Sequence, residues 1–491
     1  MRKSAVFAAI LVLAGCGASG SGRGPVVVSS DGKVTEGKPL AVATDPAQTD
    51  TGTRPDTRPD NGVPARSGAW VGVATESDVL LAGADTANLG VWIDAPQTRP
   101  HVRVPMDVSL VIDTSGSMAG AKIENARRAA QLVIDDLADG DIVSIVSFND
   151  DAKTLLEPTR LSTQTRAALK AHIAKLQPNG STNMFDGLGL GETHVARAPT
   201  THAVRRVVVI SDGIANVGPS SPEALGALAE RGLRFHAQVT SLGVGTDYDE
   251  RTLNALAMRS TGRLYHLTDP KEMASLVAHE LDLLRSTVAT DAFVEVVPAP
   301  GVDLVAVEGC RSERGDSGAL KLPLGALFSG QHREALVRVR IHDATVTPQR
   351  AIASVRLHFR DPDDGDVPRI QEVIARAGFS SDPSVVAKSE NARTRSIAAI
   401  LDASKLEISA ARSVGSGQFA DADKQLAQAQ RSLEERAKAT ADESERTRLV
   451  AVAKKVAGAR MSVQAAPSAP AASQRATTLE LNAAGMHDSG F

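Results

Sequence analysis

The strongest periodicity in this chain lies between about Pro105 and Arg285. Apolar runs of strand length occur there: "VSLVI" (108–112), "IVSIVSF" (142–148), "RVVVI" (206–210) and "FHAQVTSLGVG" (235–245). Segments with apolar residues at helical spacing separate them, such as "AKIENARRAAQLVIDDLA" (121–138) and "SPEALGALAERG" (221–232). Continuous apolar strands alternating with helices predict an α/β fold, a doubly wound, mostly parallel sheet with both faces covered. This domain is assigned to 105–287.

From about Val288 to Ala377 the period changes to two. Val337, Val339 and Ile341 of "VRVRI" face one way, as do Val355, Leu357 and Phe359 of "VRLHFR", with Arg and His on the opposite face. That pattern predicts an antiparallel β domain over 288–380, covered on one face. Short apolar runs between Trp70 and Ile93 predict strands over 67–104 that pair with it. The acidic stretch "DPDDGD" (361–366) lacks the spacing and closing Glu of a twelve-residue calcium loop and reads as a hairpin turn. A helical region is expected over 381–460. Ile397, Ile400, Leu401, Ser404 and Ile408 form one stripe, and Phe419, Ala422, Leu426, Ala429 and Leu433 another. "GSG" (415–417) between them makes a helical hairpin, similar to a single tetratricopeptide-like unit. Residues 461–491, from "VQAAPSAPAASQ" (463–474), are expected to be a disordered tail.

The first residues alter the picture. "MRKSAVFAAILVLAGCG" has a basic start, an apolar run from Ala5 to Ala14 too short to span a bilayer, then Gly15-Cys16. This reads as a signal peptide over 1–15, and "LAGC" resembles the bacterial lipobox, which implies lipidation of Cys16. Residues 16–66, rich in Gly, Ser, Thr, Pro and Asp with the tandem "TRPDTRPD" (53–60), are expected to be a disordered tether. A flexible coil of that length reaches roughly 40 Å and would hold a folded body clear of a membrane. After cleavage one thiol, Cys310, remains, so no intramolecular disulfide is available and a buried free cysteine is expected.

Composition excludes some functions. Lys and Arg number 54 against 58 Asp and Glu, a formal net charge of −4, and aromatic residues make up 3%. Neither a basic stripe for phosphates nor a stacking platform for bases is indicated, so nucleic acid is not an expected partner.

The candidate chemistry begins at "VSLVIDTSGSMAG" (108–120). A polar turn capping the following helix would explain one oxygen there. Asp113, Ser115 and Ser117, spaced by two residues just past the carboxyl end of a central strand, lie where open α/β sheets place ligands. One turn can aim all three oxygens at one centre. "NGSTNM" (179–184) adds Thr182 in a loop before a helix, and "VVVISDG" (207–213) ends another strand on Asp212. Hard oxygen donors of this kind suit Mg2+, with Mn2+ or Ca2+ as substitutes.

Together Asp113, Ser115, Ser117, Thr182 and Asp212 resemble the metal-ion-dependent adhesion site of the von Willebrand factor type A family. The resemblance covers roughly Pro105 to Arg285. It implies that the serines and threonine offer hydroxyls to the metal while the aspartates act largely through bound water. A cation so held is short of negative charge and attracts a carboxylate from a partner. The expected function is therefore an extracytoplasmic, lipid-anchored binding protein, outer-membrane placement being favoured by Gly17 after the cysteine. It would capture an exposed Asp or Glu of a protein ligand, without catalysis. Rival readings are an envelope-assembly scaffold with a vestigial metal site, and a hydrolase. The hydrolase lacks support because "GxSxG", "HExxH" and a phosphate loop are absent. Cytoplasmic family members that partner ATPase motors are disfavoured by the signal sequence.

Overall fold

The computed structural model describes residues 70–488, except 99, 101, 246, 247, 268 and 316, together with two short strands, β1 (Val26–Val28) and β2 (Val34–Glu36). The signal peptide, Cys16 and most of the expected tether lie outside the described residues. Within 16–66, β1 and β2 pair with each other, so the expectation of a wholly unstructured tether does not hold there. The triplet "VVV" of β1 extends a sheet edge, pairing in parallel with Arg369–Gln371. Among the described residues no helix is long and apolar enough to cross a membrane.

Strands β3 (Val71–Thr75), β4 (Val79–Leu81) and β5 (Thr86–Asp94) precede the α/β unit. That unit begins with β6 (Met106–Asp113), α1 (Ala121–Asp136), β7 (Ile142–Phe148), β8 (Ala152–Arg160) and α2 (Arg166–Ile173). It continues with α3 (Met184–Ala196), β9 (Val204–Ser211), α4 (Pro222–Gly232), β10 (Ala237–Val244) and α5 (Glu250–Arg259). It closes with β11 (Arg263–Leu267) and α6 (Met273–Arg285). The sheet order is β11-β10-β9-β6-β7-β8, with only the edge strand β8 antiparallel. The chain therefore runs outward from β6 to β8, then crosses back to build the other half from β9. The switch point lies between β6 and β9.

All eight residues of β6 are buried. Met106, Val108, Leu110 and Ile112 pack with α1 and α6 residues such as Ile123, Val133 and Leu281, while Val111 packs with Leu188, Leu225 and Leu253 of α3, α4 and α5. Both faces are apolar, hence the continuous hydrophobic runs. Two glycines bring α3 against the sheet. A Cβ on Gly191 would stand 2.4 Å from Val111 Cγ2, and one on Gly187 would stand 2.7 Å from the Phe148 ring.

The second domain is a sandwich of two sheets. Its strands are β12 (Thr287–Pro298), β13 (Val302–Glu308), β14 (Glu313–Arg314), β15 (Leu320–Phe328), β16 (His332–Ile341), β17 (Thr347–Asp361) and β18 (Val367–Ser380). One sheet runs β14-β15-β12-β17-β18, with β4 also on β18; the other runs β13-β16-β5-β3. The segment before the α/β unit thus pairs with the segment after it, and the α/β unit is inserted between β5 and β12. Val337, Val339, Ile341, Val355, Leu357 and Phe359 all face the sandwich core. "DPDDGD" forms a single turn between β17 and β18. Cys310 is partly buried against the same core, and burial pushes its thiol up to about 12.

After the short α7 (Pro383–Lys388), α8 (Ala392–Gly415) and α9 (Phe419–Ala439) form the expected hairpin. Ile397 and Leu401 of α8 pack on Trp92 and Leu336 of the sandwich, and Arg393 holds Asp94 through two hydrogen bonds of 2.9 Å. The helical region goes further than the hairpin. α10 (Glu443–Ala465) and α11 (Ala471–Asp488) complete a bundle with its own core, including Leu426, Leu433, Leu449 and Leu481. The expected disordered tail over 461–491 is therefore wrong for most of its length. The reason is that α11 is covered on two sides: Leu481 faces the bundle and Leu479 enters the α/β core. Arg475 also donates to the Tyr248 carbonyl at 3.0 Å and pairs with Glu250. α11 buries Thr478, Leu479, Leu481, Asn482 and Met486, a mixed polar and apolar set divided between two neighbours, and so shows no single apolar stripe.

Two expectations test this arrangement. Leu479→Ala should cost about 2–5 kcal/mol and lower the melting temperature, as for other fully buried leucines; an unchanged melt would mean that α11 does not dock. The second concerns Asp107, fully buried with neither carboxylate oxygen hydrogen-bonded. Burial pushes it up to about 7 although Arg205 opposes this. The folded chain therefore holds a proton that the unfolded chain releases near pH 4, and stability falls as pH rises from about 4 to 7. Asp107→Asn, which mimics the protonated acid, should flatten that decline by up to ~4 kcal/mol in denaturant titrations across this range.

Candidate metal centre

The site assembles at the switch point, from three loops at the carboxyl ends of β6, β9 and the segment before α3. Asp113 closes β6 and is buried. Its Oδ1 accepts the Ser115 backbone N–H at 2.8 Å, and its Oδ2 accepts the Ser211 hydroxyl at 2.5 Å. Burial pushes this carboxyl up to about 6; the hydrogen bonds from Ser211 and Ser115 oppose the shift and the Asp212 charge adds to it.

The turn after Asp113 is a single 3-10 turn that leaves Ser117 exposed and Ser115 buried. The Ser115 and Ser117 hydroxyls lie 3.0 Å apart, and Ser117 donates to Asp212 Oδ1 at 2.8 Å. The other Asp212 oxygen pairs with Lys122, on the first turn of α1. Asp212 thus sits between a hydroxyl and an ammonium.

Thr182 is brought in by backbone stitching. Asn179 N–H donates to the Thr114 carbonyl at 2.8 Å and Gly116 N–H to the Gly180 carbonyl at 3.1 Å. Thr182 N–H donates to Asn216 Oδ1 at 2.9 Å, and Asn216 N–H returns to the Thr182 carbonyl at 3.1 Å. Asn183 then caps α3, accepting from the Asp186 N–H.

The convergence can be measured from Gly213. A Cβ placed there would lie 3.4 Å from Thr182 Oγ1, 3.6 Å from Ser117 Oγ and 4.0 Å from Asp113 Oδ2. Three oxygens from three separate segments thus face one small volume beside Gly213. The donor set is two carboxylates and three hydroxyls; groups of three or more His, Cys, Asp or Glu able to hold a metal are absent among the described residues. Such a set fits a hard divalent cation that retains waters rather than a soft metal.

The structure therefore brings all five sequence-derived positions, Asp113, Ser115, Ser117, Thr182 and Asp212, to one place. Three participants escaped the sequence reading. Ser211 could have been found, since it stands inside the quoted "VVVISDG" and precedes Asp212. Lys122 and Asn216 carry no local signal, because a helix-start lysine and a loop asparagine are ordinary solvent-facing residues.

A family model for the von Willebrand factor type A domain matches residues 107–279. Residues 107–279 are a von Willebrand factor type A domain. An uncharacterized protein from Synechocystis sp. is 26% identical over 298 residues, covering 58% of this chain and 69% of that protein. Human inter-alpha-trypsin inhibitor heavy chain H3 is 29% identical over 184 residues, 36% of this chain. The chain spans only 20% of that relative's length. Among solved structures, the von Willebrand factor type A protein from Catenulispora acidiphila superposes with a TM-score of 0.69 at 18% identity, covering 84% of this chain and 96% of its own. The ArnB paralog from Sulfolobus acidocaldarius reaches 0.56 at 15% identity, covering 86% and 99%. The fold likeness therefore extends well beyond the von Willebrand factor type A domain itself. A domain of this family points to protein binding or adhesion, and its members often bind a divalent metal ion.

Proposed function

We propose that this protein binds a protein partner by offering an Mg2+ ion to an exposed Asp or Glu side chain. The observation that supports this reading is the oxygen cradle around Gly213. Ser115, Ser117 and Thr182 would hold the ion through hydroxyls, with Asp113 and Asp212 orienting its waters. Bound there, the ion supplies a Lewis-acidic coordination position for an incoming carboxylate. Lys122 neutralises one oxygen of Asp212, which keeps the site poor in negative charge and favours an anionic sixth ligand. Ser117 is exposed whereas Asp113 and Ser115 are buried, so an incoming carboxylate would reach the ion on the Ser117 side.

A binding role is proposed in preference to catalysis. Ser115 and Ser117 hydrogen-bond each other, Ser117 also donates to Asp212, and among the described residues neither serine has a histidine partner. The protein is further proposed to be lipid-anchored through Cys16 on the extracytoplasmic face of the envelope, in the outer membrane. Its anchor is the "LAGC" segment.

Calorimetric titration of Mg2+ tests the centre. Asp113→Ala, Ser115→Ala and Ser117→Ala should each weaken binding by about 10–100-fold. Gly213→Ala should weaken it too, because the new methyl enters the cradle at ordinary contact distances and leaves the fold intact. Capture of partners from envelope extracts should disappear with chelator and in these variants. Wild type that takes up neither Mg2+ nor Mn2+, even with an acidic ligand present, would exclude the mechanism. Metabolic labelling with a fatty-acid analogue should mark the wild type and leave Cys16→Ala unlabelled; equal labelling of both refutes the anchor.

A further inference from the structure

A cleft of about 750 Å³ opens between α4 and the sandwich strands β12 and β15, at the end of the parallel sheet opposite the metal centre. Its acids are already committed. Glu230 pairs with both Arg259 and Arg311, Glu313 pairs with Arg311 at 2.8 Å, and Asp291 pairs with His236 at 2.5 Å. Arg205 spends its guanidinium on the carbonyls of His202, Phe235 and Ala198 at 3.0–3.1 Å. Three cations of the lining, Arg231, Arg234 and Lys321, have no carboxylate in ion-pair range among the described residues. Arg231 is partly offset by the carbonyl end of α4 and by the neighbouring buried Glu192 carboxyl, so Arg234 and Lys321 carry most of the excess facing the cavity.

The backbone around the cleft is held in an unusual way. His236 and Asp291, which meet at 2.5 Å across the domain boundary, are both non-glycine residues in the left-handed region, at φ 59° and 52°. His236 stands one residue before β10 rather than inside a strand, as its sequence context had implied. The floor carries Phe293, but His358 stacks on its ring at 4.5 Å and the Lys321 ammonium lies 4.5 Å from its centroid. The ring is committed to those two groups, so the cleft offers charge rather than a stacking face.

We propose that this cleft binds a small multivalent anion, one bearing two or more carboxylate or phosphate groups, with Arg231, Arg234 and Lys321 as the recognising cations. A cavity of this size accommodates a ligand of several hundred daltons. The site is independent of the metal centre. From Arg205 to Asp212 along β9 the separation is roughly 23 Å, more than two Debye lengths at physiological salt.

Isothermal titration of the full chain in metal-free buffer tests this, with pyrophosphate as the phosphate probe and citrate as the carboxylate probe. Saturable one-site binding is expected for at least one probe, weakening as salt is raised. The Arg231→Gln/Arg234→Gln variant removes two exposed side chains and should melt like wild type while losing about tenfold in affinity per arginine. Lys424→Gln, an exposed cation of α9, should bind like wild type, and so should Asp113→Ala, which keeps this outcome separate from that of the metal centre. Preference for one probe assigns the source of the anionic groups. Absence of saturable binding by both probes, or equal affinity in the double arginine variant, overturns the proposal.

Discussion

The structure depends on one strand that has no free side. β6 is hydrogen-bonded to β7 on one edge and β9 on the other, and helices cover both of its faces. A strand sealed in this way cannot present chemistry along its length, because any polar side chain there must be buried at a cost. Asp107 illustrates that cost, since burial pushes its carboxyl up to about 7. What remains is the carboxyl end, where β6 emerges at the switch point and the loops after β6 and β9 diverge to opposite sides. The oxygen cradle occupies the gap this divergence leaves.

Close packing and polar stitching then act together on that gap. Gly187 and Gly191 allow α3 to lie against Phe148 and Val111, and this places the loop before α3 within reach of the turn after Asp113. Backbone hydrogen bonds between Asn179 and Thr114, and between Gly116 and Gly180, lock the two segments together. Asn216 performs the same function from the third loop. The hydroxyl donors are thereby positioned by groups that carry none of the proposed chemistry, which is how a site built on loops acquires the rigidity of the sheet beneath it.

The two outer domains extend the same logic of coverage. α6 runs directly into β12, and Ala326 and Phe328 of β15 join the core of the α/β unit, so the sandwich is packed onto it rather than tethered. The helical bundle reaches both neighbours. On the sandwich side, Glu334 is held far down, to about 2, by hydrogen bonds from His332 and Arg448 that outweigh its burial, while Asp94 is held equally low by His332 and Arg393. On the α/β side, Leu479 and Arg475 fasten α11 over α5 and β11. Coverage leaves the two ends of the parallel sheet unlike each other: a hydroxyl-rich oxygen cradle at one, an arginine-rich cleft at the other.

By itself the sequence determined the parts that follow from periodicity and from short-range geometry. Short continuous apolar runs bounded by turns fit strands buried on both faces, and period-two runs such as 337–341 fit strands covered on one, so the α/β and antiparallel classes were both legible. The positions of Asp113, Ser115 and Ser117 were legible because one turn sets their spacing, and Asp212 because a strand must end on it. Tertiary structure decided what depends on surfaces distant in the chain. α11 was hidden because its two buried leucines face different domains, and a helix shared between two cores has no single apolar stripe. Lys122 and Asn216 became participants only when the crossing from β8 to β9 brought their loops together. The cationic cleft was equally invisible, since Arg231 and Lys321 lie 90 positions apart in sequence and meet only because the sandwich packs beside α4. A charge's partner is a property of the folded surface, and local pattern carries no record of it.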